Sequence, residues 1–156
     1  MTAKSLNPHL MFNGTCEDAF NFYKSVFGGE FTAFLRHEVT ASFQNVADAD
    51  KKCVMHAMLP ITEQVTLMGG DVPANEPPAQ FGNNVTLSVS FATDEETRRV
   101  YGALSAGGKI GMPLEKTFFA SLYAVITDKF GVNWGLMSAA PFNCPVTGEA
   151  MPGMKL

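Results

Sequence analysis

The sequence predicts an α+β fold made of two tandem βαβββ modules. Each module is a mixed sheet covered by a helix on one face, with a cavity on the other. Three observations carry that expectation. The chain repeats itself: Thr15 with Asp18 marks one helix start, and Thr93 with Glu96 marks another 78 residues on. The Gly28-Gly29 pair stops the first helix and Gly107-Gly108 the second, at an offset of 79, close to half of the 156 residues. Such an internal duplication constrains architecture more than any single motif. Finally, residues 84–91 (NVTLSVSF) alternate apolar and polar side chains without interruption, the period of a strand with two unlike faces.

In the first half, residues 8–13 (PHLMFN) predict a short strand. Ala19, Phe20, Tyr23, Val26 and Phe27 form one apolar stripe and predict a helix from about Glu17 to Phe27. Thr15 and Asp18 resemble a capping box at its start. Glu30–Val39 alternates around Phe31, Ala33 and Leu35 and predicts the second strand, followed by a polar loop at 40–52. Cys53–Ile61 and Gln64–Met68 predict two more strands joined by a tight turn. Gly69–Asn83 holds three prolines and predicts a linker. The second half repeats the order: strand 84–92, helix 94–106, and strands 109–114, 121–127 and 132–138. The expected organisation is a first module at 1–70, a linker at 71–83, a second module at 84–139 and an irregular tail at 140–156. All of it belongs to one structural domain.

Composition narrows the function classes. Apolar residues make up 46% and charged residues 17%, with 13 Phe and 9 Met, which suggests a large buried interface or an apolar cavity. The net charge is −4 with scattered Lys and Arg, so no basic footprint for nucleic acid is present. No apolar run approaches the roughly 20 residues of a membrane span, and the N-terminus lacks the apolar stretch of a signal peptide. Cys16, Cys53 and Cys144 form no C-x-x-C pair, which fits a reducing compartment. A cytoplasmic protein without membrane or nucleic-acid partners is expected.

The strand at 84–91 points to the cavity. Val85, Leu87, Val89 and Phe91 are expected under the second helix, leaving Asn84, Thr86, Ser88 and Ser90 on the other face. Two such sheets facing one another would enclose a cavity. An offset of 78 puts His9 on the helix-facing side of the first strand, although one residue of slip reverses every side chain.

The stretches NPHLMFNGTCEDAFNFYKSVFGGE and GGKIGMPLEKTFFASLYAVITDKFGVNWGLM, with Met55-His56-Ala57 and the LMGGD run at 67–71, resemble the PhnB-like family. That family is a branch of the vicinal oxygen chelate, or glyoxalase/bleomycin-resistance, superfamily. The resemblance extends to about residue 139. It implies paired βαβββ modules of the glyoxalase/bleomycin-resistance kind, a homodimer and, in many members, a divalent metal held by first and last strands of both modules. Carried over, those metal positions fall near Pro8, Met68, Asn84 and Gly135, none of them a good ligand. No cofactor is therefore expected. A divalent metal enters only through a shifted site using His56 with Glu115 or His9. Members also carry the description demethylubiquinone methyltransferase, but no strand here is followed by the glycine-rich turn of a methyl-donor site.

The ligand cavity is expected to involve His56, Met68, Asn84, Thr86, Ser88, Glu115 and Phe119, with no catalytic residue assigned. His56 matches a histidine usual in the family; Phe119 stands where most relatives have Trp. His37 is expected at the surface, Cys16 as an inert packed thiol, and Asp128 as a turn residue. No G-x-S-x-G, H-E-x-x-H, phosphate loop or dinucleotide fingerprint occurs. The expected function is binding of a small, partly apolar molecule without the superfamily's metal site. The alternatives are a metal-dependent isomerase, lyase or dioxygenase, and a dimeric interaction module without ligand.

Overall fold

The computed structural model describes residues 3–40, 47–48 and 50–138. The expected tail at 140–156 and most of the expected loop at 40–52 lie outside the described residues. The chain divides into two compact units, one up to Asn84 and one from Val85. The first runs β1 (His9–Phe12), α1 (Cys16–Phe27), β2 (Ala33–Arg36), a 3-10 helix (His37–Thr40), β3 (Val54–Pro60) and β4 (Thr66–Asp71). The second runs β5 (Leu87–Phe91), α2 (Asp94–Ser105), β6 (Lys109–Glu115), β7 (Tyr123–Thr127) and β8 (Asn133–Ser138). The sheets have the same order, β1-β4-β3-β2 and β5-β8-β7-β6. In each, the first and last strands pair in parallel and the other pairings are antiparallel.

The duplication has two offsets, and both are real. The helices are 78 residues apart end for end. The first strands are 79 apart, because Phe12 pairs with Asp71 as Phe91 pairs with Ser138 at the ends of their parallel ladders. The difference is one extra residue between β1 and α1, in the turn containing Gly14 at φ +87°. That insertion has a cost at the helix start. Thr93, in extended conformation (φ −132°, ψ 153°), accepts the Glu96 amide at its hydroxyl, whereas Thr15 sits at φ −115°, ψ 10° and makes no side-chain cap. A capping side chain reaches back only from the extended region, so the capping box expected at Thr15 does not form. Asp71 takes over from the end of β4, where Oδ1 accepts the amides of Gly14 (2.9 Å) and Cys16 (3.0 Å) and Oδ2 accepts that of Val54 (2.9 Å).

Each helix covers one face of its own sheet. Ala19, Phe20, Tyr23 and Val26 of α1 are buried, with Phe20 edge-on to Phe12. On α2 the buried positions are Thr97, Val100 and Leu104, against Ala124, Ile126, Trp134 and Leu136 on the sheet side. Fully burying each large apolar side chain stabilises by about 1.5–3 kcal/mol. The glycine pair expected to open the linker lies inside β4. A Cβ on Gly69 would stand 2.5 Å from Phe20 Cε2, and one on Gly70 2.6 Å from the Met55 carbonyl oxygen. These glycines serve close packing, not a turn. Asp128 does shape a turn, accepting the Phe130 and Val132 amides, and also the indole N–H of buried Trp134 at 2.9 Å.

Three local expectations differ from the structure. β2 is four residues long, and a register shift at Leu35/Arg36 leads into the 3-10 helix. That turn buries His37, expected at the surface, and its amide donates to the Cys53 carbonyl. Val85, expected under α2, precedes β5 and is 65% exposed.

Candidate functional site

Ladder partners share a sheet face, so the register assigns every side chain of the uncovered faces. In the first unit His9 pairs with Met68 and Met68 with Met58, while Leu10 pairs with Gly69, the residue under Phe20. His9 is therefore on the open face, and its expected placement toward the helix is overturned. The 79-residue offset of β1 and β5, one more than that of the helices, is the physical reason. His56, two residues before Met58, shares this face, and its ring stacks on that of His9 with centroids 5.5 Å apart. β4 lies between β1 and β3, so the two imidazoles lean toward each other over it. Partial desolvation of this exposed residue, and then the neighbouring His56, hold the His9 imidazole below its usual value.

In the second unit Leu87 pairs with Trp134 and Val89 with Leu136, which puts Leu87, Val89 and Phe91 toward α2 as expected. Ser88 pairs with Gly135 and Gly135 with Val125, and Tyr123 pairs with Glu115 across the sheet. These residues occupy the open face. A Cβ built on Gly135 would lie 3.3 Å from Ser88 Oγ, 3.6 Å from Thr86 Cγ2 and 3.6 Å from Tyr123 Oη. Two hydroxyls thus converge on one spot where the strand carries no side chain. Neither hydroxyl has a protein hydrogen-bond partner among the described residues. Phe119 adds a wall, its ring edge-on to Tyr123 at 5.0 Å. The turn that presents it is closed by Thr117, whose hydroxyl accepts the Ala120 amide.

The expected ligand residues fall into two groups. His56 and Met68 stand together on the open face of the first unit, while Thr86, Ser88, Glu115 and Phe119 gather around Gly135 and Tyr123 in the second. Asn84 stands apart, exposed and ahead of β5. Tyr123 was not singled out by sequence. Its signal was its spacing from Gly135, which equals that of His56 from Met68, so Tyr123 is the repeat counterpart of the family histidine.

The same register identifies the open-face positions of the first and last strands as His9, Met68, Ser88 and Gly135. A divalent site of the superfamily's kind needs imidazole and carboxylate donors. Here one imidazole, one thioether, one hydroxyl and a glycine stand instead. Among the described residues no three His, Cys, Asp or Glu gather. Neither unit offers, on its own first and last strands, the donors such a metal needs.

Cys16, at the first turn of α1, is buried, and burial, Asp71 and Glu17 together push its thiol far above its ordinary value. The Gly14 and Cys16 amides at that helix start already serve Asp71.

Comparison with known proteins agrees with this geometry. The family model described as 3-demethylubiquinone-9 3-methyltransferase matches residues 4–137. Protein YjdN of Escherichia coli K12 is 31% identical over 137 residues, covering 83% of this chain and 91% of that protein. The crystal structure of protein PA1353 from Pseudomonas aeruginosa superposes with a TM-score of 0.76 at 30% identity, over 87% of this chain and 98% of that one. The PhnB protein from Bacillus cereus gives 0.72 at 30% identity, over 87% and 100%. A glyoxylase/bleomycin resistance protein/dioxygenase domain from Frankia sp. EAN1pec, 9% identical with a TM-score of 0.59 over 90% and 98%, shares the fold alone. The chain belongs to the PhnB-like family and has the fold of the glyoxalase/bleomycin-resistance proteins.

Proposed function

We propose that this protein binds a small, partly apolar molecule on the open sheet face of its second unit, without the superfamily's usual divalent-metal site. The observation that carries the proposal is the floor at Gly135, with Ser88 Oγ and Tyr123 Oη converging on it. Two uncommitted hydroxyls can donate to and accept from one oxygen of a ligand. The Phe119 and Tyr123 rings offer apolar surface beside them, and Glu115 places a carboxylate at the far side of Tyr123. A planar ring bearing a hydroxyl or carbonyl oxygen matches that arrangement, and an anion does not. A homodimer acting in the cytoplasm is part of the same proposal, supported by the family's habit. Methyl transfer, the activity in the family model's description, gains no support: the amides of the β1–α1 turn are already held by Asp71.

The test is calorimetric titration with 2-naphthol and, in parallel, naphthalene. Saturable binding of 2-naphthol, weaker for naphthalene and reduced about three- to tenfold in Tyr123→Phe, is expected from the loss of one hydrogen bond. Equal binding of both compounds to wild type and variant would remove the hydroxyl pair from the account. Failure of both, and of a wider set of ring compounds, would reject the binding proposal.

A further inference from the structure

In the first unit the same lattice positions carry a different chemistry. His9 and His56 stand where the second unit has Ser88 and Tyr123. β1 and β3 are separated by β4, about 10 Å for two strand spacings, yet their imidazole centroids approach to 5.5 Å with ring planes 18° apart. On the intervening strand Met68 is the ladder partner of His9. Neither imidazole has a hydrogen-bond partner among the described residues. Met58 is the ladder partner of Met68, and Met11 follows two residues after His9. Within β1, β3 and β4 this face presents thioethers and imidazoles, with no Asp, Glu or Cys.

We propose that the first unit holds a soft monovalent ion, Cu(I), between His9 and His56 with the Met68 thioether as third donor. Thioether sulfur selects Cu(I) over the harder divalent ions, and imidazole serves both. Metal–imidazole bonds are about 2 Å and lie in the ring plane, so the two rings turn out of their stack for a nitrogen of each to reach one ion. Binding requires neutral imidazoles. Two imidazoles and a thioether, with no carboxylate beside them on this face, suit a closed-shell soft ion. The proposal rests on residues of the first unit alone.

The experiment is anaerobic titration of full-length protein, without an affinity tag and with Cys53→Ser and Cys144→Ser to remove competing thiols, into the Cu(I)–bathocuproine disulfonate complex. Loss of chelator absorbance reads Cu(I) transferred to the protein. Transfer of one Cu(I) per chain is expected. It should weaken about tenfold or more in His9→Ala and in Met68→Leu, and be unchanged in Tyr123→Phe. His9 is exposed and Met68→Leu nearly conserves volume, so both variants should fold, which circular dichroism checks. Transfer insensitive to both substitutions, no transfer at all, or displacement of Cu(I) by equimolar Zn(II) would each overturn the proposal.

Discussion

Replacing Asp71 should separate three hydrogen bonds into measurable parts. The side chain is 4% exposed, and its two oxygens join the end of β4 to the start of α1 and the start of β3. In Asp71→Asn the amide oxygen can keep the Gly14 and Cys16 donors, but the NH2 then confronts the Val54 amide. One hydrogen bond to a charged group is lost and one buried donor is orphaned, a cost of about 2 kcal/mol. Asp71→Ala strips all three amides. Water can reach the exposed Gly14 but not Val54, which is 1% exposed, so the loss should reach about 4 kcal/mol rather than the full sum. With a urea dependence of about 2 kcal/mol per molar, the midpoint should fall by about 1 M for Asn and about 2 M for Ala. Far-ultraviolet circular dichroism during urea unfolding reads both. An Asn variant with the wild-type midpoint, or an Ala variant no worse than Asn, would refute the view that Asp71 is the distant cap of α1.

Other consequences can be checked with similar means. Gly69→Ala forces a methyl to 2.5 Å from Phe20 and 2.9 Å from the Leu10 carbonyl, and should cost about 2 kcal/mol in urea unfolding. Gly135→Ala meets nothing closer than a movable Ser88 hydroxyl at 3.3 Å and should leave the midpoint nearly unchanged while weakening 2-naphthol binding; equal destabilisation by both would contradict the packing described. His9 is held below its ordinary value of 6.5, so the unfolded chain takes up its proton at higher pH than the folded one. Stability should therefore decline as pH falls through the unfolded value and level off below the folded one. His9→Asn should flatten that decline in urea midpoints measured between about pH 7.5 and 5; an unchanged slope would exclude His9 as a source. Cys16 should resist iodoacetamide in the native protein and react after unfolding, because its thiolate is disfavoured by burial and by Asp71. Mass spectrometry of native digests showing rapid modification at Cys16 would count against this.

The amino-acid sequence by itself determined the two-module plan, because a repeat of helix stripe, glycine stop and strand patterns survives any uncertainty in register. It also determined the faces of β5, where Leu87, Val89 and Phe91 alternate with Thr86, Ser88 and Ser90 over enough residues to leave one solution. Tertiary structure decided what a single inserted residue does. The extra residue of the β1–α1 turn moves β1 one place against the helix, brings His9 to the open face beside His56, and takes Thr15 out of capping geometry. Local pattern cannot register that shift, since a four-residue strand reads almost as well in either phase. The role of Asp71 depends on partners 55 and 57 residues away, and the linker-like glycines around it become packing positions only when Phe20 is laid over them. The convergence of Ser88 and Tyr123 on Gly135 depends in the same way on strand order. Pairings of β5 with β8 and of β8 with β7 create it, and the hydroxyls are 35 residues apart in the chain.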